Sequence, residues 1–158
     1  MAIITNILYG SRTLDNRASR ILFLARLAIG AAFLSHGWQK LMQFDDLAQT
    51  FPDPLGIGSQ ASLILALFAE LACPVGFIFG LLYRLALIPM ITTMAVAFFV
   101  IHGADPFAVR ELAFLYLVVF ILLWITGPGR YSIDCLIKKA IDKKSHNSTT
   151  FTGLSYSR

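Results

Sequence analysis

An acid in the middle of an apolar segment is the most reactive feature of this sequence. Glu70 lies near the midpoint of a run from about Ala61 to Leu82. A carboxylate surrounded by hydrocarbon must take up a proton or pair with a cation. Arg26, in the preceding apolar run, is the best partner by type. An Arg26–Glu70 pair would either lock two helices together or line a ligand cavity. The same run carries Ser35, His36, Gln39 and Lys40. Positions 36 and 40 share a helical face. Arg26, fourteen residues before Lys40, falls within roughly 40° of that stripe. His102 closes a third run and Glu111 opens a fourth. These two and Lys40 fall near one boundary, with His36 slightly deeper. His36, Lys40, Glu70, His102 and Glu111 are therefore expected to converge on one outward-opening pocket. Glu70 and His36 are the expected catalytic proton carriers. Arg26, Lys40, His102 and Glu111 are the expected ligand-binding groups.

Each of these residues also has a plainer reading. Lys40 can snorkel to the surface. His102 and Glu111 can be ordinary boundary residues. Cys73, three after Glu70, can be a small apolar filler. Trp38, Arg84 and Trp124 suit the membrane interface, as does Arg130. No metal is expected, because the di-iron bundle pattern needs Glu-x-x-His on two helices. Glu70 is followed three later by Cys73, and Glu111 by Phe114. A bis-His haem between His36 and His102 is a weak alternative. Phosphate-binding loops, nucleophile elbows and dinucleotide fingerprints are absent from the sequence.

The elements that must position these groups follow from composition. The chain has 158 residues, 57% apolar and only 14% charged. Soluble domains are about a quarter charged, so this is a membrane protein. The net charge of +4 does not indicate a nucleic-acid binder, since the basic residues cluster outside the apolar runs rather than on one solvated patch. Two cysteines cannot make a disulfide framework. The apolar runs are Ile21 to Met42, Ala61 to Leu82, Leu85 to Ile101 and Leu112 to Ile125. A span needs roughly 20 residues, so the last two must borrow polar flanks such as Arg84, His102 and Glu111. The expected fold is all-α: an integral membrane four-helix bundle with a C-terminal interfacial amphipathic helix.

Charge sets the orientation. Arg12, Arg17 and Arg20 precede the first run, Arg84 lies between the second and third, and Arg130, Lys138, Lys139, Lys143 and Lys144 follow the fourth. The positive-inside rule puts both termini in the cytoplasm. The acidic loop Gln43 to Gln60 is then outside and is expected to act as a lid. Four regions result: a cytoplasmic or interfacial segment 1–20, a transmembrane domain 21–126, a Gly-Pro-Gly-Arg motif with basic helix 127–144, and a disordered tail 145–158. A cleaved signal peptide competes for the N-terminus, but no clear small-residue cleavage site follows the run. Ile3, Ile4, Ile7 and Leu8 have helical spacing and suit the membrane surface. From Ser132 to Lys144, Ile133, Leu136, Ile137, Ala140 and Ile141 share a face, with lysines off it, as an interfacial helix on anionic headgroups requires.

Read together, these pieces resemble the DoxX family. Arg26-Leu27-Ala28-Ile29-Gly30 followed by His36-Gly37-Trp38-Gln39-Lys40-Leu41 resembles its first helix, and Glu70 its helix-2 acid. Gly80-Leu81-Leu82-Tyr83-Arg84 resembles the end of that helix. Glu111 stands where the fourth helix opens, and Gly127-Pro128-Gly129-Arg130-Tyr131-Ser132-Ile133-Asp134 resembles the closing motif. The resemblance covers residues 20–137. It implies a small bacterial inner-membrane protein with four helices. Some relatives are linked to thiosulfate:quinone oxidoreductase, others to oxidative-stress and thiol-redox assemblies. The DoxA-like part of the thiosulfate enzyme is missing from this sequence. The leading expectation is a redox-associated membrane subunit that binds a quinone or similar lipid-soluble molecule. His36, Lys40 and Arg26 would donate hydrogen bonds, and Glu70 and Glu111 would relay protons. Electrons would come from a partner protein, since no intrinsic cofactor motif is present. The alternatives are a non-catalytic scaffold recruiting redox or stress-response enzymes through its basic segment, and a small-molecule transporter acting as a homo-oligomer.

Overall fold

A computed structural model describes residues 15–141 and 143. The segment holding Ile3, Ile4, Ile7, Leu8 and Arg12, together with Lys144 and the tail 145–158, lies outside the described residues. Helix α1 spans Asn16–Met42, and a short helix α2 spans Phe44–Thr50. Helices α3, α4 and α5 span Ser59–Phe79, Tyr83–Ile101 and Phe107–Thr126. Residues 133–141 form a final helical segment, α6, and no strand occurs among the described residues. Four helices, α1 and α3 to α5, are long and apolar enough to cross a membrane.

Helix ends shift from the apolar runs because polar residues continue the helices. α1 begins five residues before Ile21, where the Asp15 carboxylate accepts the Ala18 N–H at 2.7 Å. That side chain satisfies one of the donors a helix start leaves open. α5 begins at Phe107, directly after Pro106, and so reaches spanning length by adding Phe107 to Glu111. Large apolar side chains such as Leu24, Phe68, Ile88, Phe99 and Leu122 stay exposed on the spans. An outer surface of this kind is a liability in water and is what a bilayer requires.

α1 lies against α3, α3 against α4, and α4 against α5. The buried residues of α1 recur as Arg26, Gly30, Phe33 and Gly37. This four-three-four spacing keeps one face inward. Phe33 meets Phe120 of α5 edge-on, with ring centroids 5.0 Å apart. Phe77 stacks on Tyr83 at 5.5 Å, and the Tyr83 hydroxyl donates to the Leu123 carbonyl at 3.1 Å. A buried phenol must find such a partner.

One end of the bundle is fastened by the closing motif. Asp134 is fully buried. Its Oδ1 accepts the Leu82 N–H and its Oδ2 the Tyr83 N–H, both at 2.9 Å. The Asp134 N–H donates to the Gly80 carbonyl at 2.9 Å. The carboxylate thus caps α4 from a distance and holds Leu82 in a left-handed conformation, φ 47°, that a β-substituted residue rarely adopts. Arg26, also fully buried, donates from Nη2 to the Tyr131 carbonyl. Its guanidinium lies over the rings of Phe23 and Tyr83, at 5.6 and 5.7 Å. Arg130 Nη1 donates to Asn16 Oδ1 at 2.9 Å. The motif after α5 therefore joins the start of α1 to the α3–α4 turn.

In α6, Asp134 and Cys135 are buried, Ile133 and Ile137 half-buried, and Leu136, Lys139, Ala140 and Ile141 exposed. The expected apolar face is thus split. Part of it packs on the bundle because Asp134 must reach the α3–α4 turn, and part faces outward.

Candidate functional site

The site grows from a defect in helical regularity. At Phe68–Ala72, α3 makes one turn of π-helix, and Glu70 lies in it. A second π turn, Ala97–Ile101, ends α4. Such bulges widen the backbone locally and often mark functional positions. Gly37 of α1 packs directly on this turn: a Cβ there would lie 2.8 Å from the Glu70 carbonyl oxygen. Only glycine lets α1 come this close. Three residues on, Lys40 Nζ forms an ion pair with both carboxylate oxygens of Glu70. Glu70 is 1% exposed and Lys40 30%, so the acid is sealed in while the lysine side chain stays partly exposed.

This corrects the expected Arg26–Glu70 pair. The contacts of α1 with α3 fix an antiparallel register in which Gly37 meets Glu70, Gly30 meets Ile78, and Gly80 meets Arg26. Arg26 is therefore level with Gly80, ten residues from Glu70, or about 15 Å along the helix. No side chain bridges that distance. Arg26 belongs to the closing motif and lies outside both cavities described next.

Two cavities meet at the ion pair. One, of about 300 Å³, is lined by polar groups of α1 (His36, Gln39, Lys40) with Glu70, His102 and Tyr116. The other, of about 600 Å³, lies between α3 and α4 beneath the loop Phe51 to Leu55. Its walls are mostly apolar. Lys40, Glu70, Met94, Ala97 and His102 line both. Both volumes fall in the range of small-molecule sites, about 300–1,000 Å³.

Four of the five residues expected to converge do so: His36, Lys40, Glu70 and His102. Glu111 does not. It is exposed on α5, while Val109, Leu112, Ala113 and Tyr116 face the smaller cavity instead. The His36 ring meets Tyr116 edge-on at 5.8 Å. His102 Nδ1 is 2.8 Å from Asp105 Oδ2. A carboxylate there favours a proton on Nδ1 of the ring. Asp105 and Tyr116 were not foreseen as site residues. Asp105, three after His102, carried a usable signal in its spacing. Trp38 is exposed on α1, and the Arg84 guanidinium lies 5.9 Å over Trp124. Cys73 is buried among apolar neighbours in the core. No group of three or more metal-ligating side chains occurs among the described residues.

The loop over the larger cavity is organised by Asp53, which is outside the spans. Its Oδ2 accepts the Gly58 N–H at 2.7 Å, and its Oδ1 accepts the Ser62 hydroxyl at 2.7 Å and the Ile57 N–H at 3.1 Å. The Ser62 hydroxyl, followed by the Gly58 N–H, holds this carboxyl below its usual range. A depressed folded pKa contributes stability above the unfolded value, about 3.9, and loses it as pH falls through the folded value. The loop should therefore stay closed through neutral and mildly acid pH and loosen only below about pH 4. Proteolytic nicking between Phe51 and Gly58, measured against pH, should show this step. Asp53→Asn should nick readily at every pH and show no step.

Four spanning helices around a polar, partly sealed intramembrane site define a multi-pass membrane protein. The chain belongs to the DoxX family, whose profile matches residues 21–103. It is similar to an uncharacterised membrane protein of Mycobacterium tuberculosis, 31% identical over 131 residues, covering 72% of this chain and 79% of that one. It is also similar to the inner membrane protein YqjF of Escherichia coli, 29% identical over 121 residues, covering 73% and 91%. An uncharacterised protein of Haemophilus influenzae is 29% identical over 132 residues, covering 78% and 87%. No solved structure gives a significant match.

Proposed function

We propose that this DoxX-family protein binds a lipid-soluble molecule of the quinone class at the Lys40–Glu70 pair and serves as a redox-associated subunit of the bacterial inner membrane. Both termini face the cytoplasm in this reading, as the Lys and Arg distribution favours. The observation that carries it is the ion pair standing in the wall shared by a polar cavity and an apolar one. A quinone has an uncharged, hydrogen-bond-accepting head and an apolar tail, and two such chambers suit the two parts.

The residues present fit that head. Lys40, His36 and Gln39 carry donors for its carbonyl oxygens. Glu70 can hold a proton at the same point, and His102 with Asp105 offers a route for protons toward the loop side. A bound quinone would supply a two-electron, two-proton couple, with electrons delivered by a partner protein. The aromatic side chains of Phe33 and Tyr116, tilted 57° to each other, give the polar chamber an apolar lining on one side.

The test is chemical. The protein is purified in mild detergent, its lipids are extracted, and quinone is quantified by mass spectrometry beside Glu70→Gln. Near-stoichiometric quinone in the wild type, and several-fold less in a mutant that still unfolds cooperatively with a melting temperature lowered by only a few degrees, is the expected result. No quinone in either protein overturns the reading and favours a scaffold that recruits enzymes through its basic C-terminal segment.

A further inference from the structure

The larger cavity has a shape that the ion pair alone does not explain. α3 and α4 pack tightly where Cys73–Phe79 faces Tyr83–Val96, next to their short turn, and part toward Ser59–Leu67. The cavity fills this widening gap. Along α4 its lining runs from Ile88 to Ile101, thirteen steps or about 20 Å of helix. The side chains at its rim, Leu65, Phe68 and Ile88, are each about half exposed and lie within spans. Pro52, Pro54 and Leu55 cover the end nearest the loop. The opening is thus toward the side of the bundle, where lipid would be.

We propose that the gap between α3 and α4 is a lateral portal, through which an amphiphile with an uncharged head slides in from the bilayer and lays its hydrocarbon chain in the larger cavity. Three observations carry it. The walls offer hydrocarbon and few polar atoms, so a chain loses nothing by leaving the lipid. The rim sits at membrane depth rather than at a water boundary. At the inner end Lys40 and Glu70 already neutralise each other, so a charged head would bring an unpaired charge into a low-dielectric site, which is strongly unfavourable. The head position rests on the quinone-class reading above, whereas the chain site does not.

Photolabelling tests this in the full-length protein. Vesicles of phosphatidylethanolamine and phosphatidylglycerol would carry alkyl diazirine probes of one chain length, ended by a hydroxyl, a carboxylate or a trimethylammonium group. Adducts are mapped by peptide mass spectrometry. The hydroxyl probe should label the interior positions Ala69, Thr93 and Met94 several-fold more than either charged probe. All three probes should label Leu24 and Leu27 on the outer surface of α1 alike. Ala66→Trp, which plugs the cavity, should abolish interior labelling and spare the outer positions. Adducts confined to outer surfaces, or equal interior labelling by all three probes, would overturn the proposal even if the plugged variant does not fold. Interior labelling without co-purified quinone would sink the quinone reading and leave the portal standing. Quinone without interior labelling would do the reverse.

Discussion

Lys40→Met should destabilise the protein by about 3 kcal/mol, because it strips a sealed carboxylate of its cation. Glu70 is nearly inaccessible, and among the described residues Lys40 is the cation that reaches it. Glu70→Gln should cost less, about 1 kcal/mol, since an amide oxygen can still accept from the ammonium and the lysine side chain is partly exposed. The two changes should not add. In Lys40→Met/Glu70→Gln no buried charge is left to penalise, so the double variant should be about 2 kcal/mol more stable than Lys40→Met alone. Unfolding in detergent, followed by denaturant titration or steric trapping, gives all four corners of the cycle. A double variant about 1 kcal/mol less stable than Lys40→Met, the simple sum of the two single losses, would show that the two side chains do not depend on each other.

Asp134→Ala should be nearly as damaging, at about 3 kcal/mol, for a different reason. It orphans two backbone N–H groups, Leu82 and Tyr83, and each buried unsatisfied donor costs about 1–3 kcal/mol. It also removes the carboxylate that holds Leu82 in its left-handed backbone conformation. Asp134→Asn keeps one acceptor oxygen and should fall midway between wild type and Asp134→Ala. Gly80 and Glu70 are about 15 Å apart along α3, so losses at Asp134 and at Lys40 should add within about 0.5 kcal/mol. Ligand content per folded molecule should not change in Asp134→Asn. A fall there would mean that the closing motif shapes the cavity as well as the fold.

Much of this could be read from residue types. The four spans follow from two apolar runs of spanning length and two that reach it by borrowing polar flanks, and the inward stripe of α1 from the spacing of its polar residues. Glu70 stood out because an acid at that depth is expensive. Its partner was misassigned for a definable reason. Residue type favours Arg26, but type does not say which turn of one span faces which turn of the next. The register is instead set by Gly30 and Gly37, where α3 packs against bare backbone, and hydropathy carries no trace of it. The π turn at Phe68–Ala72 was equally hidden, since its composition is that of any apolar helix. The larger cavity is a gap between helices, a property of their divergence rather than of any residue. Asp53 was visible only as a loop acid, and Asp134 only as the last residue of the closing motif. Their roles depend on backbone N–H groups, and every residue except proline has one, so the sequence does not single them out.

The closing motif also sets a schedule for biosynthesis. The carbonyl that receives Arg26 belongs to Tyr131, 105 residues later in the chain. At ribosomal speeds of 5–20 residues per second, that acceptor emerges about 5–20 s after the arginine does. Throughout that interval the first segment carries a guanidinium whose destination has not yet been made. Insertion into the bilayer must proceed with this charge held near the headgroups or shielded by the insertion machinery, and the helix can settle to its final depth only once Tyr131 has been made. A ribosome that stops before Tyr131 would release a chain whose buried guanidinium never meets its carbonyl acceptor.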